Sequence, residues 1–310
     1  MPGNLLLFIS ALIAVWIGAG MIVTSLDRIA KHLEISAFAA SFFFLGLLTS
    51  LPEMSVGVSS ILENTPEIFV GDLVGGSMII FFVVIPLLSV LGNGVKLSHQ
   101  LTRRKLIFAL YLIGLPTLLI IDNNLTSIEG LVLIFMYIIL FYKMEKKKGL
   151  LDHFRDKLAS DRGVTTISVI KIVLGAFIVL MASSMLVNST IYFSQVLNIS
   201  PYLFSLLGLS IGTNLPEISI AIRSVKYGKK DIALGDYLGS ASANSLLLGI
   251  LAIVNGRTIT FNNHLPVTFM LMTLGLFFFY RFTRSKNDIS RLEGILLFLV
   301  YLTFFVLEMK

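Results

Sequence analysis

The sequence contains no cysteine. Disulfides, iron–sulfur clusters and thiolate metal sites are therefore excluded. Histidine is nearly as scarce. His32, His99, His153 and His264 fall in loops or at the ends of apolar stretches, which argues against a bound transition metal. Charge is sparse too: Asp, Glu, Lys and Arg make up 14% of 310 residues, against about a quarter in a soluble domain. A soluble helical core of this size would need polar outer faces, and the composition does not supply them. The signatures of intramembrane proteases are also missing. Aspartyl types need Gly-x-Gly-Asp, where this chain has Ala233-Leu234-Gly235-Asp236, and metallo types need His-Glu-x-x-His. No histidine lies mid-span to serve a serine type. The chain is expected not to be an enzyme.

Apolar residues, by contrast, make up 56% of the chain. They gather into ten stretches, at 4–26, 36–62, 67–91, 104–121, 126–143, 165–187, 201–223, 231–254, 265–281 and 289–308. At a rise of about 1.5 Å per residue, even the shorter ones cross a hydrocarbon core as helices. The expected fold is an all-α membrane protein with ten transmembrane helices. Met1–Leu26 is apolar like a signal peptide but lacks a basic leading region. It also has a counterpart later in the chain, so it reads as a retained first helix.

The net charge of +6 could suggest nucleic acid, but the placement of the basic residues argues otherwise. All but three of the 24 Lys and Arg residues fall in loops on one side of the ten spans. The exceptions are Arg257 and Lys310 on the other side and Lys171 within the sixth span. This asymmetry predicts both termini outside the cell membrane and the 143–163 loop in the cytoplasm.

The chain also repeats itself. Thr49-Ser50-Leu51-Pro52-Glu53 aligns with Thr213-Asn214-Leu215-Pro216-Glu217 at an offset of 164 residues. The same offset pairs Gly71-Asp72 with Gly235-Asp236, Gly92 with Gly256, and Glu129-Gly130 with Glu293-Gly294. The halves run 1–142 and 164–310, joined by a solvated connector at 143–163. Five spans per half is an odd number, so the second copy enters from the opposite side and the repeats are inverted.

Carboxylates inside a bilayer are costly and point to function. Glu53 and Glu217 lie in the second and seventh spans, each directly after a proline. A proline removes a backbone donor and frees an upstream carbonyl. Two broken helices, carrying Thr49 and Ser50 in one and Thr213 and Asn214 in the other, would face each other and offer the oxygens a hard cation such as calcium requires. Asp236, Ser240 and Asn244 share one face of the eighth span at four-residue spacing. Their equivalents in the third span are Asp72, Gly76 and Ile80.

These paired motifs, Thr49–Glu53 with Gly71–Ser77 and Gly212–Glu217 with Gly235–Asn244, resemble the two alpha repeats of the calcium/cation antiporter superfamily, and most closely its prokaryotic sodium/calcium exchanger branch. The resemblance covers essentially the whole chain. It implies that Glu53 and Glu217 are the principal calcium ligands. It further implies that Thr49, Ser50, Thr213 and Ser240 assist through hydroxyls or carbonyls, and that Asn244 stands where the family has an aspartate or asparagine. It implies transported calcium, with sodium or protons as counter-ion, and no cofactor. The partners are inorganic cations and the lipid bilayer. The departures are Ile80 for a polar residue, Gly76 for serine, Asn214 for a hydroxyl, and Asp72 and Asp236 for asparagines. The two aspartates are expected to be symmetric gate or proton-carrying sites. Carriers of magnesium, manganese or potassium remain open on the oxygen ligands alone. A channel is the weaker alternative, because inverted repeats with broken helices favour a carrier.

Overall fold

The computed structural model describes residues 2–30, 42, 46–96, 102–145, 166–227, 230–261, 265–285 and 288–309. Residues 146–163 of the 143–163 connector lie outside them, as does much of the second span before Gly46. The described chain is helical almost throughout. Its helices are α1 (Pro2–Ala30), α2 (Gly46–Thr49), α3 (Leu51–Leu62), α4 (Glu67–Leu91), α5 (Arg103–Leu119), α6 (Ser127–Glu145), α7 (Thr166–Leu197), α8 (Pro201–Thr213), α9 (Leu215–Tyr227), α10 (Lys230–Asn255), α11 (Leu265–Ser285) and α12 (Arg291–Glu308). Five of these are by themselves long and apolar enough to cross a membrane, and α8 with α9 makes a sixth, bent by 43°. The broken α2–α3 span and the flanking helices complete the ten-helix inverted repeat of an all-α membrane protein.

Four short strands display the inversion directly. β1 (Val95–Lys96) pairs antiparallel with β4 (Asp288–Ile289), and β2 (Asn124–Leu125) pairs with β3 (Ile259–Thr260). Shifting by 164 residues turns one pair into the other: Val95 opposite Ile289 becomes Ile259 opposite Leu125. Each sheet thus ties one half to the other, and the two sheets are exchanged by the pseudo-two-fold. The helix starts follow suit. Ser290 and Glu293 form a reciprocal cap on α12, and Thr126 and Glu129 make the same contacts at α6. Asn64, Asn93, Asn123 and Asn198 supply left-handed backbone in the tight connections, a conformation asparagine tolerates better than most residues.

α4 and α10 form the centre, with 83% and 78% of their apolar windows buried. Against 22% in α6, this sorts the helices into core and periphery. The exposed side chains of α6, among them Ile128, Leu131 and Phe135, are apolar, as lipid requires. α6 packs on α10, and α12 packs on the end of α4, again in symmetric fashion. α1 and α7 lie along each other in the most extensive contact between helices.

Several helices run past the expected span ends by a turn, as α1, α9 and α11 do, and larger differences occur in the third, sixth and seventh spans. α7 continues ten residues past Val187, because Ser189, Thr190 and Ser194 are buried and Ser194 bonds back to the helix carbonyl of Ile191 at 2.8 Å. The third span carries a π-helical turn at Ile80–Val84, just before Pro86. Proline has no N–H for the preceding turn, and a widened turn absorbs the defect. Ile250 occupies the equivalent place in α10, which stays regular. A second π turn, Ser205–Leu209, sits in α8, and Phe42, the counterpart of Leu206, is also π-helical.

Candidate cation site between the two repeats

Each broken span interrupts its helix at one residue. Ser50 has φ −81° and ψ 10°, and Asn214 has φ −87° and ψ 15°. Pro52 and Pro216 follow two residues later, so the carbonyls of Leu48 and Gly212 have no N–H partner one turn on. The residue at the break partly repairs the preceding turn. The Ser50 Oγ donates to the Gly46 carbonyl at 2.9 Å, and the Asn214 Nδ2 donates to the equivalent Ser210 carbonyl at 2.9 Å. The two breaks meet α10 and α4 where glycines allow backbone against backbone. A Cβ on Gly239 would lie 2.0 Å from the Phe42 carbonyl oxygen, and one on Gly75 would lie 2.3 Å from that of Leu206.

This close approach brings the polar residues of both halves together. Thr213 donates to Asp72 Oδ1 at 2.9 Å, and its counterpart Thr49 donates to Asp236 Oδ1 at 3.4 Å. Both aspartates sit in the second turn of their helices and are fully buried. Ser50 and Ser240 hydroxyls lie 3.2 Å apart, Ser50 donates to Asn244 Oδ1 at 3.4 Å, and Ser240 donates to Glu217 Oε1 at 3.1 Å. Glu53 lies within electrostatic reach of Glu217 and Asp72, and Asp236 within reach of Glu217. Glu53 and Glu217 are 1% and 0% exposed, so neither faces lipid. All ten residues singled out from the sequence thus fall in one buried region spanning both repeats.

The symmetry breaks where the sequence does. Ser240 bonds to Glu217, but its counterpart Gly76 has no hydroxyl for Glu53. Asn214 fills that space instead: a Cβ on Gly76 would lie 2.9 Å from the Asn214 Nδ2. The Ser50–Ser240 pair across the repeats is thus replaced, at the symmetry-related place, by Asn214 opposite Gly76. Two supporting residues were not predicted individually. Ser77 accepts from Asn244 Nδ2 at 3.4 Å, and the Tyr237 hydroxyl donates to the backbone carbonyl of Glu217 at 3.2 Å. Both lie within the repeated motifs, Ser77 in Gly71–Ser77 and Tyr237 in Gly235–Asn244.

The electrostatic character of the region is set by what its oxygens lack. Among the described residues, six buried acceptor oxygens of this region have no hydrogen-bond donor: both of Glu53, and one each of Asp72, Asn214, Glu217 and Asp236. Buried carboxylates without partners cost several kcal/mol apiece in general, and a cation is the partner such a set calls for. Among the described residues no group of three His, Asp or Glu side chains comes close enough to chelate an ion alone. Amide and hydroxyl oxygens of Asn214, Asn244, Ser50 and Ser240 lie in the same region as the carboxylates.

The profile of the sodium/calcium exchanger protein family matches residues 3–143 and 167–310. The sodium/calcium exchanger MaX1 of Methanosarcina acetivorans is 22% identical over 344 aligned positions, covering 98% of this chain and 97% of the relative. Two solved structures share the fold. The sodium-calcium exchanger NCX_Mj, soaked with sodium and strontium ions, aligns with a TM-score of 0.69 at 21% identity, over 98% of each chain. The H+/Ca2+ exchanger CAX aligns with a TM-score of 0.79 at 17% identity, over 98% of this chain and 82% of the other. Fold, duplicated motifs and family match agree: the chain belongs to the sodium/calcium exchanger family of calcium/cation antiporters, which are membrane transporters and not enzymes.

Proposed function

We propose that the chain exchanges calcium for monovalent cations by alternating access at one site near the bilayer midplane. The observation that carries this reading is the set of six donor-less oxygens shared between the two halves. Glu53 and Glu217 are the principal calcium ligands. Thr49, Ser50, Thr213, Asn214, Ser240 and Asn244 complete the shell through side-chain oxygens or the carbonyls released at the breaks. Two glutamates compensate one dication or two monovalent ions, but not both loads together. This mutual exclusion at shared carboxylates couples the two fluxes. α1 and α7 contribute no carboxylate to the site and pack along each other, which suits them to slide across it.

The counter-ion is sodium or protons. Asp72 and Asp236 raise the number of buried carboxylates to four, and each touches a threonine of the opposite half. That count favours a counter-ion load larger than two glutamates would accept, and it gives the aspartates a role as symmetric gates or proton carriers. Uptake of radioactive calcium into proteoliposomes under imposed sodium or proton gradients tests both levels of the reading. Calcium uptake driven by one of these gradients is expected. In Asp72→Asn and Asp236→Asn variants the dependence on the driving ion should shift. Absence of calcium uptake under every gradient would shift the reading to a carrier of magnesium, manganese or potassium.

Both termini lie outside, and the connector lies in the cytoplasm. The absence of native cysteine makes this directly measurable. Lys148→Cys should react with a membrane-impermeant maleimide only after permeabilisation, and Arg257→Cys should react in intact cells. The reverse pattern would invert the topology.

A further inference from the structure

A groove of about 480 Å³ runs between α5 and α11 on the outer face of the bundle, away from the cation site. Its walls include Ile107, Tyr111, Leu118, Phe269, Thr273 and Phe277. From Ile107 to Leu118 is eleven residue steps, about 16 Å along a helix, which is about half of a hydrocarbon core some 30 Å thick. The apolar length therefore fits the depth of one leaflet.

The groove ends in polar groups on one side. Tyr280 lines it and accepts a hydrogen bond from the Arg103 Nε at 2.8 Å. Arg103 is exposed and lies one helical turn beyond Ile107, at headgroup level. Its Nε–H is used by Tyr280, which leaves the Nη donors for another acceptor. Arg104 and Arg281 are exposed at the same end, whereas Lys105 donates to the Met144 carbonyl and Lys143 stacks over Phe108. α5 and α11 are equivalents across the pseudo-two-fold, yet Arg103-Arg104-Lys105 correspond to Val267-Thr268-Phe269. The groove lies between symmetry mates, yet the Arg103–Arg104 pair at the start of α5 has no cationic equivalent at the start of α11 among the described residues.

We infer that this groove is a binding site for one anionic phospholipid, with an acyl chain along α5 and α11 and its phosphate bound by Arg103. Guanidinium pairs with phosphate through parallel N–H donors, and Tyr280 holds Arg103 in place from below. The full-length protein, purified in mild detergent, is incubated with equal amounts of phosphatidylglycerol and phosphatidylcholine bearing the same acyl chains. Retained lipid is counted by native mass spectrometry. Phosphatidylglycerol should be retained in preference by about fivefold, the scale of one basic side chain acting on an anionic lipid. Arg103→Gln should bring the two lipids to near equality, while Arg257→Gln, a charge change at the opposite end, should leave the preference intact. Thr273→Trp, at an exposed wall position, should lower retention of both lipids. Equal retention of the two lipids by the wild type, or an unchanged preference in Arg103→Gln, would overturn the assignment. So would an efficient Tyr111→Cys disulfide between two copies, since it would put a second protomer in the groove.

Discussion

Glu53→Gln and Glu217→Gln should each abolish calcium transport while leaving the ion-free protein as stable as the wild type or more so. The transport effect follows from removing a charged ligand from a desolvated site, a change that costs about 2–5 kcal/mol. At about 1.4 kcal/mol per factor of ten, that is roughly thirtyfold or more in calcium affinity. The stability effect runs the other way. Four acids lie buried together at or below 1% exposure, with five of their oxygens lacking a donor. Replacing one by an isosteric amide removes a buried acid and adds N–H donors to a cluster that is short of them. Thermal unfolding in chelator would read the second quantity, and calcium uptake the first. A glutamate with a merely structural role would lose stability and keep transport. Calcium should also raise the melting temperature of the wild type by mass action, and that gain should vanish in both variants.

Glu53→Gln should be the more severe of the two. Glu217 keeps a hydrogen bond from Ser240 at 3.1 Å and has its backbone carbonyl held by Tyr237. Glu53 has neither side-chain oxygen bonded, because Gly76 replaces the serine that would serve it. Its charge is the less stabilised by the protein and the more dependent on the ion.

The second large effect lies in the backbone contacts that assemble the site. Gly239→Ala and Gly75→Ala should each cost about 3 kcal/mol or more, enough to eliminate folded protein in many backgrounds. The added methyl would sit 2.0 Å and 2.3 Å, respectively, from a backbone carbonyl oxygen, and neither helix can yield by rotating a side chain. The two variants should behave alike, because the glycines occupy equivalent places in the two halves. Gly208→Ala is the contrasting case within the same region. Its nearest neighbours are Phe204 ring atoms at 3.5 Å, an ordinary contact, and alanine favours the helix. Folded yield by size-exclusion chromatography checks all three. Equal tolerance at positions 75, 208 and 239 would mean that the broken spans do not press on α4 and α10.

Much of this architecture was legible in the sequence because its signals are long or duplicated. Ten apolar stretches, the sorting of basic residues and the 164-residue offset all arise from constraints the bilayer imposes on many positions together. Glu53 and Glu217 stood out because an acid within an apolar span after proline is unusual, and here it occurs twice. What escaped notice is local. The strands are two residues each, too short to show an alternating pattern. A π turn inserts one residue into a helix without changing its composition, and only Pro86 gave any hint of the turn at Ile80–Val84. The exchange of two serines for Asn214 opposite Gly76 required knowing which side chain faces which across the repeats. Each of the two changes is read as a departure when taken singly, and their complementarity emerges only in three dimensions.

In the proposed exchange, one acidic side chain from each inverted half closes on the same metal ion. Crystals grown with calcium, measured at a wavelength where calcium scatters anomalously, locate that ion directly. One peak is expected within about 2.3–2.6 Å of carboxylate oxygens from both Glu53 and Glu217. A peak bound to one glutamate alone, or lying outside the region between α4 and α10, would contradict it.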